Sequence, residues 1–298
     1  MKYKFRRYYL YYLGRVAAYF AYLLPIKVSL AIAGFLGGVT FRLLGKYRNI
    51  AIENLTAALG SEKSPAEIRA IALRVFENIA KNSVELLNFP RLTKENLSRL
   101  VTVKNRDALD AAFKKGKGVI ILTAHFGNWE LVGVTFRLLG CPGQVIGRRI
   151  YFHKYDEFLN SLRRVHDVQV IYRDDSPKKM LKVLKDNTIL GILADQDVDS
   201  VDGVFVNFFA RPAYTPMGPV LLARVSGAVI LPTLMIRESD AHHTLMIENP
   251  VELVDTGNKE ADLITNTQKW SDVIESYIRK YPEQWVWMHR RWKTEKSQ

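Results

Sequence analysis

His125 and Glu130 stand five residues apart at the end of the stretch GKGVIILTAHFGNWE, residues 116–130. A carboxylate bonded to one imidazole nitrogen fixes the tautomer and stabilises the imidazolium. The other nitrogen is then free to take a proton from a hydroxyl, a contribution of about 10²- to 10⁴-fold to rate. On one continuous helix this spacing would put the two side chains about 140° apart, so they are no same-face zinc pair of the HExxH kind. They can meet only if His125 sits on a loop and Glu130, in the first turn of the following helix, folds back toward the ring. The same residues also fit a plainer arrangement, a core histidine and a helix-start carboxylate favoured by the helix dipole.

The flanking pattern supplies such a loop. The apolar run 119–124, entered through a Gly/Lys turn, predicts a buried strand, and 131–139 predicts a helix that stops at Gly140. The C-terminal end of a strand in an α/β sheet is where ligands usually bind. A second strand end carries Asp195, Gln196 and Asp197 after the apolar run 189–194. Paired aspartates can hold a metal; they can equally position a sugar or another side chain. Arg148 and Arg149 follow a short strand at 144–146, and Arg163 and Arg164 precede one at 168–172. Guanidinium pairs suit phosphate by their bidentate geometry, or form solvated faces. Asn128 is placed to order the loop between His125 and the helix.

Further strands are expected at 101–103 and 229–235, and helices at 65–88, 106–115, 155–164, 177–185 and 216–225. Ser64 and Pro65 open the first of these helices. Strands alternating with helices predict one α/β domain around a largely parallel sheet flanked by helices.

The chain has 298 residues, 43 of them Lys or Arg against 30 Asp or Glu, for a net charge of +13. That excess calls for an anionic partner: a membrane surface, a nucleic acid or a phosphorylated substrate. The N-terminus favours the membrane. Residues 1–15 mix Lys2, Lys4, Arg6, Arg7 and Arg15 with five tyrosines and no acid, and 16–44 are almost wholly apolar. Pro25 and Lys27 leave 28–41 short of the roughly 20 residues that span a bilayer. Residues 1–45 therefore read as membrane-associated helices lying in or dipping into one leaflet, with a single span or a core location as alternatives, and 46–298 as the catalytic domain. The only cysteine, Cys141, excludes an intrachain disulfide and reads as a small residue in a loop. Signatures of serine hydrolases, dinucleotide enzymes, P-loop NTPases and zincins are missing.

Three segments in order, AHFGNWE, then ADQD with FVNFFARPAYTP, then YPEQWVWMHRRWK at the C-terminus, resemble the bacterial lipid A late acyltransferases, the lauroyl/myristoyl transferase family, over nearly the whole chain. The HxxxxE segment alone is shared, as HxxxxD, with glycerolipid acyltransferases; Glu130 fits the lipid A branch. The resemblance implies transfer of an acyl group from acyl carrier protein or acyl-coenzyme A to a hydroxyl of a membrane glycolipid, at the cytoplasmic face of the inner membrane, with no metal and no cofactor. It makes His125 and Glu130 the catalytic pair, with direct attack on the thioester and no protein nucleophile, in keeping with the motif search. The cationic surface suits a phosphorylated head group, an anionic membrane and an acidic carrier protein.

Two other readings use the same residues: acylation of a glycerolipid or phosphoinositol mannoside, or a non-catalytic basic protein binding membrane or nucleic acid. Against nucleic acid, the aromatics gather at the N-terminus and at Trp285, Trp287 and Trp292 rather than in a stacking strand motif. Those tryptophans suit a membrane anchor or core packing.

Overall fold

The computed structural model describes residues 5–198 and 200–295; Lys2 and Lys4 of the basic N-terminus lie outside them. In chain order the elements are α1 (Phe5–Leu23), α2 (Ile26–Leu43), α3 (Gly45–Leu59), α4 (Pro65–Leu87), α5 (Lys94–Leu100), β1 (Val101–Lys104), α6 (Arg106–Lys114), β2 (Val119–Thr123), α7 (Trp129–Leu138), β3 (Gly143–Gly147), α8 (His153–Arg164), β4 (Gln169–Tyr172), α9 (Pro177–Lys185), β5 (Ile189–Leu193), β6 (Gly203–Phe208), β7 (Arg211–Pro216), α10 (Gly218–Ser226), β8 (Val229–Ser239), β9 (His242–Ile247) and α11 (Lys259–Lys280).

Seven strands form one sheet in the order β1-β9-β8-β2-β5-β3-β4. All its pairings are parallel except β8 with β9. β2 and β5 are central and covered on both faces, which is why they read as continuous apolar runs rather than alternating ones. Successive residues of β2 enter two different cores: Ile120 and Leu122 pack with α3, α4 and α11, while Val119 and Ile121 pack with α5, α6 and α7. The expected α/β domain with a largely parallel sheet is thus the fold. The sequence reading assigned no element to β6, β7, β9 or α11, and Pro216, expected to open a helix, instead ends β7.

α2 lies along α4, with Leu30, Ala33, Gly37 and Phe41 buried. A Cβ on Gly37 would sit 2.6 Å from the Glu77 Cα, so only glycine permits this approach. α1 buries none of its residues. Large apolar side chains of both helices, including Leu13, Phe20, Ile32 and Phe35, face outward. Among the described residues, α2 is the helix long and apolar enough to cross a membrane.

Candidate active site

β2 and β5 pair in parallel with Thr123 opposite Leu193. Two residues beyond each of these positions the chain presents His125 and Asp195. The sheet thus joins side chains 70 positions apart, His125 Nδ1 lying 2.8 Å from Asp195 Oδ1. The other oxygen of Asp195 accepts from the His125 backbone N–H at 3.0 Å and from Trp285 Nε1 at 2.7 Å. Burial by itself would raise the Asp195 carboxyl, but the His125 imidazole and the Trp285 hydrogen bond outweigh it and hold the group well below the ordinary carboxylate range. An ionised Asp195 only accepts, so Nδ1 of His125 carries the proton and Nε2 is the nitrogen left for a substrate. The His125 side chain is 26% exposed where that of Asp195 is 1% exposed, so the ring opens to solvent while its partner does not.

The carboxylate facing the imidazole is therefore Asp195, and the expected fold-back of Glu130 does not form. Glu130 lies in the first turn of α7 and points toward α8, where Arg163 takes both of its oxygens, Nη2 to Oε1 at 2.6 Å and Nε to Oε2 at 2.9 Å. Both residues still line the same cleft as His125. That cleft, 520 Å³ in volume, also takes in Trp129, Arg148, Arg173, Gln196, Asp197 and Lys293. Arg149 and Arg164 fall elsewhere: Arg149 is exposed, its guanidinium 3.8 Å from the Tyr172 ring, and Arg164 pairs with Glu157 at the surface. Arg173 was not singled out from sequence, although it directly follows β4 as Arg148 follows β3 and the same strand-end logic applies to it.

The loop from Ala124 to Asn128 is held from beneath. Gly127 has φ +54°, and a Cβ there would lie 1.6 Å from the Met235 carbonyl oxygen, so no other residue fits. Its N–H donates to the Gln284 carbonyl at 2.8 Å and its carbonyl accepts from Asn82 Nδ2 at 2.6 Å. Asn128 is buried. Its Oδ1 caps α7 through the Leu131 N–H, and its Nδ2 donates to Glu85 Oε2 at 2.7 Å. Glu85 also accepts from both terminal nitrogens of Arg237 and bonds His243 Nε2. Burial would push the Glu85 carboxyl up, yet His243 and Arg237 bring it down to about 2.

The C-terminal tail closes the site from above. Trp285 and Trp287 are fully buried and Trp292 packs against the same core, so these tryptophans are core residues rather than membrane anchors. Arg291 donates to the Tyr214 carbonyl and Thr215 Oγ1, tying the tail to β7. His289 stands edge-on to Trp285, and burial pushes its imidazole down to about 4. Asp197 accepts from the N–H and the hydroxyl of Thr294. With Asp195 given to His125 and Trp285, the two aspartates hold protein groups. Among the described residues no three His, Cys, Asp or Glu side chains converge as a metal site would need.

A second, apolar cavity shares Trp129 and Leu193 with the cleft and runs between α7 and the sheet to Phe136 and Cys141. It is narrow, 40 Å³ in volume, and Gly133, Gly143 and Gly191 form part of its wall. Cys141, expected as a small residue, is buried at its far end.

A strand-end histidine paired with a buried aspartate, a cationic cleft and an adjoining apolar slot thus lie side by side at one edge of the sheet. Residues 1–294 match the family model for bacterial lipid A biosynthesis acyltransferases, and the chain belongs to that family. It is accordingly an O-acyltransferase. It is 26% identical over 291 residues to the lipid A biosynthesis lauroyltransferase of Escherichia coli strain K12, covering 97% of this chain and 92% of that protein. The lipid A biosynthesis myristoyltransferase of the same strain is 25% identical over 280 residues, 92% of this chain and 84% of the relative. A phosphatidylinositol mannoside acyltransferase of Mycolicibacterium smegmatis is 25% identical over 246 residues, 80% of this chain and 77% of that protein.

Proposed function

We propose that the enzyme moves a fatty acyl chain from an acyl thioester, carried by acyl carrier protein or coenzyme A, to a hydroxyl of a phosphorylated glycolipid of the lipid A precursor class. The observation that carries this reading is the His125–Asp195 pair opening into a cleft lined by Arg148, Arg163 and Arg173. Nε2 of His125 takes the proton of the acceptor hydroxyl as its oxygen attacks the thioester carbonyl, and Asp195 stabilises the imidazolium. The tetrahedral intermediate then expels the thiolate, which recovers the proton from His125, leaving an ester and a free thiol. The positive N-terminal end of α7, beside the ring, favours the developing oxyanion. Glu130 is assigned to holding Arg163 in the cleft rather than to the imidazole. Arg148, Arg163 and Arg173 face the acceptor phosphates, with Gln196 beside them, while Arg149 and Arg164 are left out of the site.

The donor's acyl chain is assigned to the slot under α7, because the slot meets the cleft at Trp129 and is apolar throughout most of its length. Gly133 presents no side chain to the slot, so the methyl groups of Val168 and Val145 form the wall facing it. Phosphatidylinositol mannoside acylation is the second reading, favoured by the mycobacterial relative.

The outward apolar faces of α1 and α2, with Arg6, Arg7 and Arg15 nearby, would rest in the cytoplasmic leaflet of the inner membrane, each surface cation contributing about 1 kcal/mol. Because one face of α2 is fixed to α4, the helix lies against the leaflet rather than crossing it alone. The test is acyl transfer by the purified enzyme from lauroyl-acyl carrier protein or lauroyl-coenzyme A to a lipid A precursor, read by mass spectrometry. A product heavier by one acyl group supports the reading; acylation of a phosphoinositol mannoside alone would favour the alternative.

A further inference from the structure

A cavity of 290 Å³ opens on the far side of the catalytic loop from His125, and none of the chemistry above uses it. Its walls are Ile26, Phe89, Leu92, Leu100 and Leu131, apolar for most of their area, with the exposed guanidinium groups of Arg91 and Arg99 at its edge. Arg91 also bonds the carbonyl of Leu24 at 3.4 Å and lies 4.0 Å from the Tyr22 ring, so the cavity adjoins the turn between α1 and α2.

Inside stands His243, 2% exposed. Its Nε2 donates to the ionised Glu85 at 2.9 Å. Its Nδ1 is buried and has no partner among the described residues. A buried polar atom left unpaired carries a desolvation cost, and a ligand that pairs it recovers that cost. With Nε2 carrying the proton, Nδ1 accepts, and a hydroxyl is the group that fits.

We propose that this cavity binds an anionic membrane phospholipid with a hydroxylated head, of the phosphatidylglycerol type. Its phosphate meets Arg91 and Arg99, a head-group hydroxyl donates to His243 Nδ1, and a chain lies along Phe89, Leu92 and Ile26 toward the bilayer. The assignment takes the membrane-facing role of α1 and α2 from the preceding reading. Occupancy reaches the catalytic loop through one relay, His243 to Glu85 to Asn128, which caps α7.

The test uses the full chain in a neutral detergent and monomeric dihexanoyl phosphatidylglycerol or dihexanoyl phosphatidylcholine, with binding followed by calorimetry. Phosphatidylglycerol should bind at least tenfold more tightly than phosphatidylcholine. Arg99→Gln, which removes an exposed rim charge, and Leu92→Trp, which fills the cavity, should each abolish that preference, whereas Arg148→Gln in the cleft should leave it intact. Equal binding of the two lipids, or a preference lost with Arg148→Gln and kept with Arg99→Gln, would overturn the proposal. Because the lipid is monomeric, this outcome is independent of membrane attachment. A protein that fails to pellet with anionic vesicles yet keeps the preference sinks the membrane reading alone.

Discussion

Glu130 and Arg163 form a two-point ion pair that closes one wall of the cleft, with both side chains only about one-sixth exposed. Neither touches the imidazole nitrogen that Asp195 holds. Removing either member leaves the other partly buried without its counter-charge, which costs more than an exposed pair is worth. Glu130→Gln and Arg163→Gln should each lower kcat/KM by about 10- to 100-fold. The double variant should be no worse than Arg163→Gln alone, because Glu130 acts through Arg163 and has nothing left to hold once the guanidinium is gone. Additive losses would show that the two residues act separately.

Glu85 joins Arg237, His243 and Asn128 under the catalytic loop, and its replacement strands a buried guanidinium. Glu85→Gln should destabilise the protein by roughly 3–5 kcal/mol in urea unfolding at neutral pH. The sign with pH follows from the lowered carboxyl. A group near 4.5 in the unfolded chain and about 2 in the folded one gives stability that is complete above about 4.5 and disappears as pH falls toward 2. The gap between wild type and Glu85→Gln should therefore narrow over that acid range; a gap that stays constant would place the stabilisation elsewhere.

The strands that carry the site were legible because β2 and β5 are covered on both faces and so appear as unbroken apolar runs. The hairpin β6–β7 was not. Its turn is made by Phe209 and Ala210, both with positive φ, without the Asn-Gly or Asp-Gly pair that marks such turns. α11 carries a polar run at 265–269 and buries polar side chains such as Asp262, Asn266 and Thr267, which blurs its apolar stripe. Asp195 was visible as a strand-end carboxylate, but its role depends on β5 lying beside β2. Strand order is a long-range property, so the local candidate, Glu130, stood in its place.

Gly133 faces Val168 and Val145 across the apolar slot, where an added Cβ would lie 3.3 Å from Val168 Cγ1. Alanine there favours the helix by up to about 1 kcal/mol, and the Val168 methyl must yield by a few tenths of an ångström to admit it. Gly133→Ala, and more strongly Gly133→Val, should shift transfer toward donors shorter by two or more carbons, read by competition between acyl thioesters of different length. An unchanged chain-length profile in both variants would move the acyl chain out of the slot.

Phe35 and Leu36 of α2 are exposed. Replacing both with Glu should leave the thermal midpoint within a few degrees while reducing co-sedimentation with anionic vesicles at least fivefold. Full sedimentation of the variant would show that another surface holds the membrane.

The most direct measurement is the turnover number of Asp195→Asn with an acyl thioester donor and a lipid A precursor at neutral pH. An asparagine can donate to Nδ1 of His125 and select the tautomer whose Nε2 carries the proton, which cannot accept one from a hydroxyl. The account predicts a fall in kcat of about 10³-fold or more with the acceptor KM within about threefold of wild type. A variant that turns over at near wild-type rate would contradict the assignment of Asp195 and His125 as the general-base pair.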